Sequence, residues 1–402
     1  MGTMTEHTST GAGHGRAVMP IIRMRARSRD ENHRASTPLE LFFDLCFVVA
    51  AAQAGVQLVH AVAEGHYVDG IAGYMFVFFA LWWAWVNFTW FASAYDTDDV
   101  PYRIATFVQI CGVLVFAAGI PDAFDGTDRT TAIVGYLIMR IALTCQWLRA
   151  ASGESGAART TALQYAAGLV IVQAGWIVLL LMPASAWIPG FFVLMIAELA
   201  VPAIAERNHQ TPWHPQHIAE RYGLFTIIML GETIAAATIA VQSGIRDFDA
   251  ADLLIPIAVG GVLIVFSALW IYFAVPIHEY LADQGNRAVL LWGYGHYFVF
   301  GSAAAIGAGI EVAVEEAVGE AHISTFAASA AVTIPAAMFL IFVWLMHSRH
   351  FKRDRIEQAV LPVAAILVLA CTFAGHWAVP LAGLVAAGTV GVGVGLSTRS
   401  KS

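Results

Sequence analysis

Charge is scarce in this chain. Only 12% of its 402 residues are Asp, Glu, Lys or Arg while 58% are hydrophobic, against about a quarter charged and half apolar in an ordinary soluble domain. That shortage excludes a soluble fold. Cysteine is nearly absent as well: Cys46, Cys111, Cys145 and Cys371 each stand alone inside an apolar stretch, so neither a disulfide framework nor a thiolate metal site is implied. No Gly-x-x-x-x-Gly-Lys occurs, which leaves no phosphate-cradling loop for ATP-driven work. No repeated His-x-x-x-His or His-x-x-His-His set occurs either, so di-iron chemistry on lipids is not expected, and no cofactor or metal is implied. Net charge is -8, which argues against a nucleic-acid partner. No apolar core with a small-residue cleavage site precedes the first long hydrophobic stretch, so no cleaved leader is expected.

What the chain has is long apolar runs. A bilayer core about 30 Å thick takes roughly 20 helical residues, and the runs fall at 38–60, 71–94, 102–120, 130–149, 160–181, 186–205, 216–242, 251–275, 288–310, 324–347, 357–375 and 378–396. They are continuous rather than alternating, which selects helices over a barrel. The expected fold is all-α: a polytopic integral membrane protein of about 12 transmembrane helices. Residues 1–35, rich in Gly, Ser, Thr, His and Arg, form a basic N-terminal arm expected to be disordered.

Of the 21 Lys and Arg residues, 18 fall in the arm, the alternate gaps and the C-terminal tail; Arg129 and Arg246 fall in the other gaps, and Arg140 lies inside the fourth run. The positive-inside rule then puts both termini in the cytoplasm. The other gaps carry Asp122, Asp125 and Asp128, then Glu311, Glu315, Glu316 and Glu320. The chain also reads as doubled. Glu40 to Asp44 opens the first run as Glu220 to Phe225 opens the seventh, 180 residues on, and Leu81-Trp82-Trp83 precedes Leu269-Trp270-Ile271 in the same order. Two halves, 36–210 and 211–397, of six helices each would share one orientation, a 6+6 parallel repeat. Small residues every four positions at Gly301, Ala305 and Gly309, and at Gly383, Ala387, Gly391 and Gly395, are read as packing stripes. Pro335 is expected to kink the tenth run.

A charge at membrane depth costs about 2.5–3.5 kcal/mol on insertion scales, so each one present marks a partner, water or a function. Those residues are Asp44, Arg140, Glu198 and Glu232, read as lining a substrate or proton site between the first, fourth, sixth and seventh runs. Glu40 and Asp44, four apart, share a helix face; Glu40 also completes a capping sequence from Ser36. Arg221 and Glu232 lie eleven residues apart on one face, too far to touch, so Glu232 needs another partner, and Arg140 pairs with Glu232 or Glu198. Glu40, His217, Glu220 and Arg221 are read as a cytoplasmic gate or brace. Trp82, Trp83, Asn87, Tyr95 and Asp96 stand either as interfacial anchors or as the lining of a ligand pocket.

The run from Leu39 to Leu45 with Gln53, Trp82-Trp83 through Asp99, and Glu220 to Phe225 with Gly231-Glu232 together resemble the bacterial low temperature requirement protein A (LtrA) family over residues 36–395. The positions matching its motifs are Glu40, Asp44, His217, Glu220, Arg221 and Glu232, although the second repeat has no acid where the first has Asp44. The family name refers to growth in the cold and brings no molecular activity with it. The residues therefore support a transporter or permease for an unidentified small solute, ion or lipid in the bilayer, with two rivals: a membrane-embedded enzyme acting on a lipid or isoprenoid, and a structural membrane component.

Overall fold

A computed structural model describes residues 21–28, 31, 34–248, 250–352 and 354–399. Among them there is no strand. The helices are α1 (Pro38–Ala63), α2 (Tyr67–Tyr95), α3 (Val100–Ala118), the short α4 (Ile120–Phe124), α5 (Thr130–Gly153), α6 (Gly156–Leu180), α7 (Trp187–Ala205), α8 (Pro215–Phe248), α9 (Ala251–Tyr272), α10 (Ile277–Asp283), α11 (Asn286–Val318), α12 (Thr325–Val343), α13 (Arg349–Phe351), α14 (Arg355–Cys371) and α15 (Ala378–Arg399). Eleven helices among the described residues are long and apolar enough to cross a membrane. The last of these, Arg355–Thr398, has 44 residues, about twice the length a bilayer takes. It divides at Gly375, whose φ of 60° and ψ of -135° are not helical, into α14 and α15, which pack on each other. The chain is a multi-pass membrane protein.

Local chemistry sets the helix ends. Thr37 and Glu40 form a reciprocal capping box ahead of Pro38 in the first turn of α1, satisfying backbone donors that a helix start leaves orphaned. Asp99 caps α3 by accepting from the Tyr102 amide at 3.1 Å, and Gly319, with φ 84°, ends α11 in the left-handed region where a Cβ is disfavoured. Pro335 does not break α12, which runs through it. A proline leaves the carbonyl four residues back without its helical donor, and here that Ala331 carbonyl lies flush against Gly309 of α11, where a Cβ would collide with it. The irregularity falls later, in a π-helical turn at Trp344–Ser348.

Residues 36–210 and 211–397 share part of an order of neighbours. In the first, α1 packs on α2 and α3, α3 on α5, α5 on α6 and α6 on α7; in the second, α8 packs on α9 and α11, α11 on α12, α12 on α14 and α14 on α15. But α9 also packs extensively on α15, whereas α2 makes no comparable contact with α7. Helices before residue 210 meet those after it mainly where α1 packs on α11 and α8, with α2 facing α11 beside them. There Tyr74 donates to the Gly301 carbonyl and Tyr297 to that of Met75, both at 2.8 Å. One end of the bundle, the arm face, gathers the starts of α1, α3, α6, α8 and α11; Arg129 and Arg246 lie at the far face.

Residues 21–28, 31 and 34–35 do not match the expectation of a disordered arm, and residues 1–20, 29–30 and 32–33 lie outside the described residues. The arm crosses the arm face as a strap. Its Ile22 amide donates to Asp99 at 2.9 Å, its Ala26 amide to Glu154 at 2.6 Å and its Arg27 amide to the Ala94 carbonyl at 2.9 Å. Arg34 donates to the carbonyls of Ala92, at 2.7 Å, and Ser93, the natural place for a cation at the C-terminal end of a helix. Composition could not show this, because the partners are backbone carbonyls and acids of helices distant in sequence.

Candidate functional site

On one face of α8 the residues Arg221, Phe225, Met229 and Glu232 follow at helical intervals, and α1 opposes them with Glu40, Asp44, Phe47, Ala51 and Gly55. Three layers result. At the arm face lies an ionic cluster with every member fully buried: Glu40, Asp44, His217 and Arg221 are each 0% exposed. Arg221 grips Asp44 through Nε at 3.1 Å and Nη2 at 2.5 Å, and its Nη1 lies 3.1 Å from Glu40 Oε1. His217 Nε2 stands 3.3 Å from Glu40 Oε2, and Trp85 Nε1 donates to Asp44 at 2.7 Å. Glu40 thus caps α1 and pairs with α8 at once. Glu220 points elsewhere and accepts from the Ser36 amide at 3.1 Å, fixing the strap to α8.

Beneath the cluster is an aromatic layer. Trp85 stacks on Phe225 with centroids 4.3 Å apart and Phe300 meets Phe225 edge-on at 4.9 Å, while on α1 Phe43 packs on Phe47 and on Phe88 of α2. Below it, α1, α8 and α11 enclose a cavity of about 70 Å³ whose walls include Ala51, Gly55, Thr233, Ala304 and Gly307 and into which both Glu232 and Glu311 open. Among the described residues nothing hydrogen-bonds or ion-pairs with either carboxylate. The structure therefore does not gather Asp44, Arg140, Glu198 and Glu232 into one site: Asp44 belongs to the ionic cluster, Glu232 to the cavity, and the other two to a third place.

That third place joins α2, α5, α6 and α7. Arg140 pairs with Glu198 at 2.5 Å, and the Glu198 carboxylate also accepts from Trp83 at 2.9 Å, Tyr136 at 2.9 Å, Gln173 at 3.0 Å and Trp176 at 3.4 Å. With five donors on its two oxygens, this carboxylate ties four helices together. Arg140 keeps Nε and Nη1 without hydrogen-bond partners.

Of the aromatic residues read as pocket lining, Trp83 and Asn87 line a cavity of about 30 Å³ with Trp90, Trp147, Tyr165, Tyr294 and Glu206. Trp82 instead packs on Trp83, Tyr294 and Tyr297, and Tyr95 on Phe91 and Trp147. Asp96 sits under the strap, 3.9 Å from Arg27, and accepts from the Asp98 amide at 2.9 Å. Burial, reinforced by the nearby Glu40 charge and opposed by Arg34, pushes its carboxyl up to about 6. Asp99 differs. Burial would raise it too, but hydrogen bonds from Arg149 and from the Ile22 and Tyr102 amides hold it below its ordinary value. His214 Nε2 meets the Glu31 carbonyl at 2.9 Å. A cavity of about 620 Å³ between α1, α2, α11 and α12 has no charged side chain in its wall.

Sequence reading missed four participants. Glu311 was placed in a loop because the ninth run was ended at 310, whereas α11 continues to Val318. Trp85 and the pair Tyr136 and Gln173 are neutral, so a search for charges within apolar runs passes over them; a search for any hydrogen-bonding group would have found Gln173.

Among known proteins, the chain is 31% identical to an uncharacterized protein of Rhizobium meliloti (strain 1021) over 219 residues, 52% of each chain; the match thus spans about half the length of that curated relative. No solved structure matches. The family described as bacterial low temperature requirement A protein (LtrA) matches residues 35–394, a stretch that takes in every helix from α1 to nearly the end of α15, and the chain belongs to that family.

Proposed function

We propose that the chain is a permease of the bacterial plasma membrane that passes protons or a small cation along the α1–α8–α11 seam, with Glu232 and Glu311 as the groups that carry or coordinate it. The observation behind this reading is the shared cavity. Two carboxylates at membrane depth, neither hydrogen-bonded nor ion-paired among the described residues although the charge of His60 reaches Glu311, are tolerated best where water or a cation offsets the cost of burial. A volume of about 70 Å³ holds about two waters. Small side chains on all three helices leave that room.

In this reading the aromatic layer and the Arg221 cluster close the arm-face side of the path, while the far face, with Glu315, Glu316 and Glu320, collects cations. The arm face is the cytoplasmic one, supported by the 18 Lys and Arg residues assigned to that side. Both termini are then cytoplasmic. The partly shared neighbour order supports reading the halves as a 6+6 parallel repeat whose relative rocking opens the α1–α8 contact.

The test is flux in proteoliposomes loaded with a pH-sensitive dye and subjected to a cation or proton gradient. Wild-type protein dissipates the gradient, and Glu232→Gln and Glu311→Gln each slow it by at least about tenfold, the scale expected when a positioned proton-transfer group is lost. Equal flux in both variants would remove the cavity from the mechanism.

A further inference from the structure

The first half holds a second cavity that the permease reading does not use. It has a volume of about 300 Å³ and opens at the far face between α2, α4, α5, α6 and α7, a size at the lower end of small-molecule sites. Its walls are aromatic: Phe76 lies on Phe191 with centroids 4.5 Å apart, Phe191 meets Trp176 at 5.4 Å, and Trp176 faces Trp187 at 6.3 Å. Tyr136 and Trp176 belong to both this wall and the Glu198 network, which fixes their orientation.

The charges around it have a sign. Behind the floor, Arg140 is neutralised by Glu198. At the mouth stand Asp69 and Asp125, with the exposed Asp122 and Asp128 on the same connection, against a single Arg129. Arg129 itself lies over the Trp187 ring, 4.5 Å from its centroid, and donates to the Gly126 carbonyl at 3.4 Å. A tethered cation thus already rests on the electron-rich face at the entrance, as ring quadrupoles favour.

We infer that this cavity is a binding site for a lipophilic organic cation, a molecule with an aromatic or branched alkyl body and a quaternary or protonated nitrogen. Its body fills the space between Phe76, Trp176 and Phe191, and its charge lies at the rim, on Trp187 and facing Asp69 and Asp125. Arg129 competes with it for the Trp187 face and repels it. This inference does not rest on the permease reading, since binding requires no gradient and no passage.

The test uses the full chain in lipid nanodiscs, with benzyltrimethylammonium as probe and phenylmethanesulfonate as its charge-reversed counterpart, measured by equilibrium dialysis and by quenching of tryptophan fluorescence. Saturable binding of the cation is expected, at least about tenfold tighter than the sulfonate and weakened by salt. Ala80→Phe, which fills the cavity from α2, abolishes binding; the double variant Asp69→Asn, Asp125→Asn weakens it; Arg129→Gln strengthens it. Each variant is compared at an unchanged melting temperature, so loss of fold is not mistaken for loss of the site. Failure of the cation to saturate, equal binding of the sulfonate, or weaker cation binding in Arg129→Gln would overturn the inference, the last by showing that Arg129 does not compete with the cation for the Trp187 face. Undiminished binding in folded Ala80→Phe would overturn it by placing the cation elsewhere.

Discussion

Arg221 and Glu232 stand on the same face of α8, about 16 Å apart along the axis, and their surroundings are opposite. Around Arg221 every charge has a counter-charge, the groups are closed from water, and α1 and α8 are joined by Arg221's contacts to Asp44 and Glu40. Around Glu232 the facing residues are small, mostly alanine and glycine, which leaves a cavity between closely packed helices, and a second carboxylate shares the space. A single helix thus carries a region built to hold and a region built to leave room. The Arg140–Glu198 pair shows what the first kind looks like without the second: a saturated carboxylate that binds four helices and opens on no carboxylate-lined cavity.

The contrast breaks most visibly at Arg221. Arg221→Met leaves two buried carboxylates without a counter-charge, and the loss expected is about 5 kcal/mol, the upper end for removing one partner of a buried pair; detergent-solubilised melting curves and membrane abundance measure it. Retained stability would mean that the cluster is hydrated and that the two regions are alike. Glu198→Gln strands Arg140 but keeps a polar group for some of the donors, so its cost should be smaller, about 3 kcal/mol, read by the same melting assay.

A smaller effect is expected at Asp96, at the edge of the paired region. Its carboxyl is raised from 3.8 to about 6, so the folded state holds this proton more tightly than the unfolded chain does. The associated stability is complete below pH 3.8 and is lost as the pH rises through about 6. Asp96→Asn should flatten the melting-temperature profile between about pH 4 and 6 and stabilise the protein at neutral pH; an unchanged slope would exclude Asp96 as its source. The smallest effect on stability is expected for Glu232→Gln, under about 0.5 kcal/mol, because no protein contact is lost. A fall like that of Glu198→Gln would show that Glu232 is paired after all and would erase the distinction between the two ends of α8.

Much of this was legible beforehand, for reasons that differ by residue. The helices follow from continuous apolar runs, and Glu40 and Asp44 from their four-residue spacing. The Arg140–Glu198 pair was one of two alternatives, because a charge at membrane depth must find another and few are available. What one dimension does not carry is azimuth: nothing in the spacing from Arg221 to Glu232 tells that Asp44 turns toward the first and a cavity toward the second. The neutral donors Trp85, Tyr136 and Gln173 were invisible for a related reason, since a lone tryptophan or glutamine in an apolar run looks the same whether it faces lipid or a carboxylate.

The strap has a consequence for biosynthesis. Residues 21–28 leave the ribosome ahead of every group they bind: Ala94 and Asp99 come some seventy residues later, Gly153 and Glu154 about 130 later. The Ser36 amide waits still longer, for Glu220, 184 residues on. Domains in a nascent chain generally form in the order of synthesis, but this segment cannot: it must remain undocked until α5 is inserted, and its last tie closes only when α8 arrives. The earliest part of the strap to be translated is therefore among the later parts to settle, and its docking reports that the first half and the start of the second have met.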